Sequence, residues 1–226
     1  MPASLKNWAI YRVGDRALAA ALARHARGKL LDVGCGPKPY ARLMRGRVDM
    51  HVGVDHPGSD HGLSAVDAAA SVYRLPFRDG TFDGVLCSAV LEHLEEPSEA
   101  LGEAFRVLRA GGSAICTVPL IWHVHEEPRD FYRYTIHGLE HLFGKAGFRE
   151  VEVKALSGFW LTFGQLFVYQ LYRLHRGPLR WIPVIPAIGL VVQLAALALD
   201  KLDRSAESRK STWAYLVTAR KPAAGT

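Results

Sequence analysis

The stretch KLLDVGCG, residues 29–36, constrains this chain more than any other part of it. A short apolar run ending in two closely spaced glycines reads as a buried strand that turns sharply into a loop. Gly34 and Gly36 let the backbone turn and approach a ligand where a β-carbon would intrude, so a side chain at Gly34 is expected to take the ligand's place. A second apolar run, HVGVDHPG, follows, and Asp55 stands at its end, twenty-one residues after Gly34. At that spacing a carboxylate can accept hydrogen bonds from the ribose hydroxyls of a nucleoside lying across two parallel strands. Asp32 ends the first strand, just before the glycines, where a carboxylate suits a cationic group.

Strand and helix patterns alternate around this pair. Residues 15–27 read as a helix with Ala17, Leu18, Ala21 and Leu22 on one side and Gly28 as its stop. Another helix is expected from about Pro37 to Met44, and a weak third strand near Gly62–Val66. FDGVLCSAV reads as a fourth strand. Pro97 opens a helix that buries Ala100, Leu101, Ala104, Phe105 and Leu108. Gly111-Gly112 is expected to end it, before a fifth strand in SAICTVPL. A helix over Thr135–Ala146 stops at Gly147, FREVEVKAL alternates as a sixth strand, and STWAYLVTARK is the last. Such alternation predicts a parallel sheet covered by helices on both faces. Ligands of such sheets bind at the carboxyl ends of the strands, where the strand order reverses.

The glycine pattern narrows the ligand. Pyrophosphate binders use G-x-G-x-x-G, and here Ala41 and Met44 fill the places after Pro37-Lys38-Pro39 where a third glycine would fall. An acid before the glycines suits a ligand that brings an ammonium group and no diphosphate, which S-adenosylmethionine does. The net charge of +6 over 226 residues comes from scattered cations that form no tract, which argues against nucleic acid. Cys35, Cys87 and Cys116 are odd in number and lack metal-ligand spacing, as expected of a protein in a reducing cytoplasm. The N-terminal residues contain no apolar run long enough for a signal peptide.

LLDVGCGP, VGVD, LPFRDGTFDGVLCSAVLEHLEEPSEALGEAFRVLRAGG, SAICTVP and DFYRYTIHGLEHLFGKAGF together resemble the class I S-adenosylmethionine-dependent methyltransferases, most of all the methyltransferase type 11 group. The likeness covers about residues 29–155. It implies a seven-stranded, mostly parallel, Rossmann-like sheet with helices on both faces, whose last strand is antiparallel and inserted between strands five and six. It also implies that Asp32, Gly34 and Gly36 line the methionine end, that Asp55 holds the ribose, that Asp67 sits near the adenine, and that Ser88 lies on the pocket floor. Cys35 and His56, neighbours of these residues, are assigned to the same cofactor site. Lys38 departs from the pattern by standing where many members carry a third glycine, and the stretch from Asp67 to Leu75 is unusually long.

Methyl transfer needs an acceptor held in line with the sulfonium methyl, and a hydroxyl acceptor usually needs a general base. The segment IWHVHEEPRDFYRYT follows strand five and supplies His125 and His123 as candidate bases. A metal reading of His123, His125 and Glu126, or of His137 and His141, has no further spacing behind it, and no metal is expected. Residues 155–172 and 181–199 carry no charged side chain and lie between the last two strands. Crossing a bilayer once would part STWAYLVTARK from its sheet. Crossing twice would put Arg173, Arg176 and Arg180 on the far side. An apolar helical insertion over 157–203 that contacts the membrane surface or an apolar acceptor is therefore expected, with a homodimer interface as the plain alternative. The reading is one methyltransferase domain over 1–226, acting on a small or lipid-like acceptor at oxygen, at the inner face of the membrane. The rivals are a non-catalytic module that binds S-adenosylmethionine and a nicotinamide-dependent oxidoreductase.

Overall fold

The computed structural model describes residues 5–175, 177, 184–223 and 225. Arg176 and Arg180, which entered the membrane argument, lie outside the described residues. The chain divides into two compact units. One gathers Met1–Ala17, Leu120–His123 and Ala155–Ala214, and the other Leu18–Pro119, Val124–Lys154 and Tyr215–Thr226.

The second unit is built on a seven-stranded mixed sheet. Its strands are β1 (Lys29–Val33), β2 (Met50–Asp55), β3 (Ala68–Ala69), β4 (Phe82–Ser88), β5 (Leu108–Pro119), β6 (Arg149–Ala155) and β7 (Ala214–Arg220). They lie in the order β3-β2-β1-β4-β5-β7-β6, so the last strand is inserted between five and six as expected. β1 pairs in parallel with β2 and β4, and β4 in parallel with β5. Leu30, Leu31, Val54 and Leu86 are wholly buried, as strands covered on both faces require.

The helices are α1 (Trp8–His25), α2 (Ala41–Met44), α3 (Pro97–Val107) and α4 (Ile136–Lys145), with α5 (Phe159–Leu174), α6 (Val184–Leu202) and α7 (Ala206–Arg209) in the long connection before β7. α3 starts on Pro97, whose missing N–H costs nothing in the first turn, and buries Ala100, Leu101, Ala104 and Val107. α4 is capped by Thr135, whose side chain accepts from the Gly138 amide.

Four details differ from the sequence expectation. α1 starts at Trp8 rather than residue 15, with Gly14 inside it and facing the Trp213 ring instead of breaking the helix. The helix expected from Pro37 shrinks to Ala41–Met44, because Lys38 adopts a left-handed φ of +52° that no helix continues through. The third strand is Ala68–Ala69, not Gly62–Val66. Finally, α3 ends at Val107, and Gly111-Gly112 lies within β5. A β-carbon on Gly112 would come within 2.9 Å of the Arg109 carbonyl oxygen, so this glycine serves a tight strand irregularity, not a helix stop.

The first unit is helical. Ala9, Ile10, Leu161 and Ala196 form its core, with Trp8, Val13, Trp122, Leu197 and Trp213 against them. α5 and α6 meet through small residues: a β-carbon on Gly164 would lie 2.6 Å from that of Ala196. Asp200 of α6 accepts from the Gly158 and Leu161 amides and so caps α5 from outside. Gln193 accepts from the Ala9 amide and donates to the Leu5 carbonyl.

Candidate active site

A cavity of about 340 Å³ opens in the sheet unit beyond the ends of β1, β2 and β4. That is room for a small ligand of nucleoside size. Gly34, Asp55 and His56 line it, as do Ser71–Tyr73, His61, Val90, His93, Glu126, Arg129 and Phe131.

Asp55 organises the glycine turn. It is 7% exposed; one carboxylate oxygen accepts from the Gly36 amide at 2.7 Å and the other from the His56 amide at 2.7 Å. Each oxygen keeps a further lone pair for a hydroxyl. His56 also accepts at Nδ1 from the Gly58 amide, which folds the loop along the cavity rim. The Gly34 amide donates to the Val54 carbonyl, tying the turn to β2.

The other expected residues stand behind this wall. Asp32 is buried and its carboxylate meets His51 Nε2 at 2.9 Å. Burial pushes the Asp32 carboxyl above the usual range, against the pull of His51. Cys35 faces Gly53 and Lys38, and burial raises its thiol to about 12, so it is an inert packing group. Gly36 faces His61. Asp67 pairs with the Lys38 ammonium and accepts from the Gly53 amide, bracing the loop in which a lysine replaces the third glycine. Ser88 bonds to Thr117 across β4 and β5 at 2.8 Å. Asp32, Cys35, Gly36, Asp67 and Ser88 are not among the residues lining the cavity.

The two candidate bases part company. His123 belongs to the helical unit, where its ring meets Trp122 and Tyr169 at 4.8 and 4.4 Å between centroids. His125 belongs to the sheet unit and packs edge-on against His93, with centroids 4.8 Å apart. Its amide donates to Asp130 at 2.9 Å, and Asp130 takes two hydrogen bonds from Arg133 at 2.6 and 2.7 Å. Arg133 holds the Asp130 carboxyl far below its ordinary range. Of the spacing-based metal candidates, His137 is exposed on α4 and pairs with Glu140.

A parallel βαβ arrangement with a glycine turn after β1, a carboxylate after β2 and a cavity at their carboxyl ends defines a nucleoside-binding protein of the doubly wound α/β class. The comparisons sharpen the class. Residues 31–116 match the family model described as a methyltransferase domain. The chain is 38% identical over 94 residues to an uncharacterized methyltransferase of Mycobacterium avium, covering 38% of this chain and 37% of that protein. It is 29% identical over 119 residues to a ubiquinone/menaquinone biosynthesis C-methyltransferase of Bartonella quintana, covering 39% and 46%. The chain thus spans less than half the length of these relatives.

Among solved structures, a methyltransferase of Bacillus halodurans superimposes with a TM-score of 0.58 at 16% identity, over 92% of this chain and 99% of that one. The S-adenosylmethionine complex of phosphoethanolamine N-methyltransferase 2 from Haemonchus contortus gives 0.59 at 17%, over 95% and 56%. At such identities the likeness is one of fold. Residues 31–116 are accordingly a class I S-adenosylmethionine-dependent methyltransferase domain.

Proposed function

We propose that the chain as a whole transfers the methyl group of S-adenosylmethionine to a hydroxyl oxygen of a small or lipid-like acceptor. The observation that carries this reading is the Asp55 carboxylate, fixed by the Gly36 and His56 amides at the rim of a cavity that Gly34 also lines. In it the cofactor's ribose hydroxyls bond to Asp55, the adenine lies along Ser71–Tyr73, and the methyl group points toward His93 and Glu126. Activation of the acceptor hydroxyl falls to the group His93, His125 and Glu126, and His123 has no part in it. The transfer forms an O–C bond, breaks the S–C bond with its electron pair going to sulfur, and releases the hydroxyl proton.

Isothermal titration of the purified chain with S-adenosylmethionine and its demethylated product tests the cofactor part. Micromolar binding of both is expected, and Asp55→Ala should weaken it at least tenfold. A folded protein that gives no heat with either ligand would sink the reading. Consumption of the cofactor on adding an extract of the host's lipids and small molecules separates an enzyme from a binding module.

The helical unit gives the acceptor its lipid-like character in this reading. α6 is, among the described residues, the one helix long and apolar enough to cross a membrane, with mean hydropathy 1.7 and only 22% of its apolar window buried. Phe163 and Phe167 of α5 and Val191 and Leu194 of α6 are exposed. Lying in the interface of an anionic bilayer at the inner face of the membrane, such helices would bury this apolar surface while Arg173 and Lys201 reach the headgroups.

A further inference from the structure

Buried polar groups in folded proteins are nearly always hydrogen-bonded, so a buried carboxylate that is not points to something that belongs beside it. Glu92 is such a group. It sits in the 3-10 turn Leu91–His93 after β4, is 1% exposed, and neither of its carboxylate oxygens has a hydrogen-bond partner among the described residues. One ligand atom each from Glu92, His93 and His125 fall within 4.8 Å of one another. None of the motif spacings in the sequence would have joined these three.

His93 is also oriented as a ligand is. A metal-binding imidazole usually gives its second ring nitrogen to a carboxylate or a backbone carbonyl, which fixes the tautomer and leaves the other nitrogen's lone pair for the ion. Nδ1 of His93 lies 2.6 Å from the Arg129 carbonyl oxygen, a contact that requires a proton on Nδ1 and leaves Nε2 as the acceptor. Nδ1 of His125 lies 3.2 Å from Oδ2 of Asp130, an ion-pair distance without hydrogen-bond geometry, and Arg133 holds that carboxylate in place. Glu126 brings a second carboxylate, its Oε2 3.6 Å from Nε2 of His93, from a residue held at a left-handed φ of +54°.

We propose that Glu92, His93 and His125 bind a divalent transition-metal cation, with Glu126 beside it as a fourth donor. Two imidazoles and a carboxylate are the donor set of Zn²⁺ and of open Fe²⁺, Mn²⁺ or Co²⁺ sites, and they disfavour Ca²⁺ and Mg²⁺, which prefer all-oxygen shells. Because His93 and Glu126 line the cavity that Gly34 and Asp55 also line, a cation there faces the acceptor's end of the site. Its chemistry is to hold the acceptor hydroxyl and lower its pKa, so that the proton leaves to solvent before the oxygen attacks the methyl carbon. His125 then works as a ligand and not as the base. That catalytic role rests on the methyl-transfer reading, whereas the binding of the ion does not.

The test uses the full chain stripped with a chelator and titrated with Co²⁺. One equivalent should bind, giving visible ligand-field absorption with a tetrahedral or five-coordinate intensity, and Zn²⁺ should displace it. Glu92→Gln and His93→Gln should each weaken Co²⁺ binding at least tenfold, and His137→Ala, on an exposed helix surface, should leave it unchanged. Absence of the absorption bands from the unmutated protein overturns the proposal whether or not the variants fold. Equal binding by Glu92→Gln overturns the assignment of ligands. A parallel S-adenosylmethionine titration keeps the two readings apart: Co²⁺ binding without cofactor binding leaves the ion site standing and removes the methyl-transfer role, and the reverse result removes only the ion.

Discussion

Placing a side chain at Gly34 tests the glycine turn directly. From the sequence, a side chain there would exclude the ligand; in the structure it meets the protein first. Gly34 has φ of +65°, and a β-carbon built on it would lie 2.4 Å from Cγ2 of Val90. For an L-residue the left-handed conformation costs about 1–2 kcal/mol. Forcing a methyl group against a neighbour in a packed site adds roughly 1–3 kcal/mol. Gly34→Ala should therefore destabilise the protein by about 2–5 kcal/mol, read as a shift of the urea midpoint at constant slope by far-UV circular dichroism. Val90→Ala removes the obstacle but leaves the backbone strain. The double variant should be less destabilised than the sum of the singles by about 1–3 kcal/mol, a coupling that distant residues would not show. A single variant within about 0.5 kcal/mol of the parent would refute the strained turn. Additive singles would refute Val90 as the contact, and any loss of cofactor affinity would then come from the cavity alone.

Three further outcomes follow from other parts of the molecule. Arg106 bonds to both oxygens of Glu103 and holds that carboxyl below its usual range, while Glu103 accepts from the Leu75 amide. A depressed folded-state value gives stability that is present above the unfolded value of about 4.3 and is lost as pH falls through the folded one. The urea midpoints of Glu103→Gln and the parent should thus differ at pH 7 and draw together as pH falls below about 4.3, and a gap that does not narrow on acidification would contradict this. Asp200→Ala removes the acceptor of two buried amides and should lower stability by about 1–3 kcal/mol in thermal melts, with Asp200→Asn recovering part of it. The paired substitution Phe163→Ser and Val191→Ser, at sites 55% and 64% exposed, should abolish flotation with anionic vesicles without moving the melting temperature. Parent protein that stays with the pellet, or that self-associates through this face, would dismiss the membrane reading.

The fold was legible where strands are buried on both faces. Leu30-Leu31 and Val85-Leu86 are nearly or wholly buried, and runs of this kind need no alternation to be recognised. Glycine was the unreliable sign, because it marks tight geometry of several kinds. Gly28 does end the α1 region, at φ of +56°, whereas Gly14 sits inside the same helix and Gly111-Gly112 lies in the middle of β5. In each case the deciding contact comes from a distant residue, the Trp213 ring for Gly14 and the Lys221 carbonyl accepting from the Gly111 amide. β3 escaped because two alanines carry no pattern at all.

The site was legible in its glycine loop and first carboxylates, and much less so around the acceptor. His125 and His123 were both candidate bases in the sequence, but the chain passes from one unit to the other between His123 and Val124, so the two side chains serve different cores. His93 stands thirty-two positions before His125 in the chain, an interval that no motif spacing encodes. What joins them is the return of the chain to Glu92, whose carbonyl accepts from the Phe131 and Tyr132 amides and draws the segment after β5 back over the turn after β4. Tyr134 fastens the same two segments through its hydroxyl, which donates to the Leu91 carbonyl at 2.8 Å. Two segments bound this closely would favour an apolar side chain between them on stability alone. A buried carboxylate at Glu92 with no hydrogen-bond partner among the described residues opposes that local preference, and sequences depart from consistent packing mainly where a site requires it. Function is therefore sought at Glu92 before any of the exposed histidines whose spacing first drew notice.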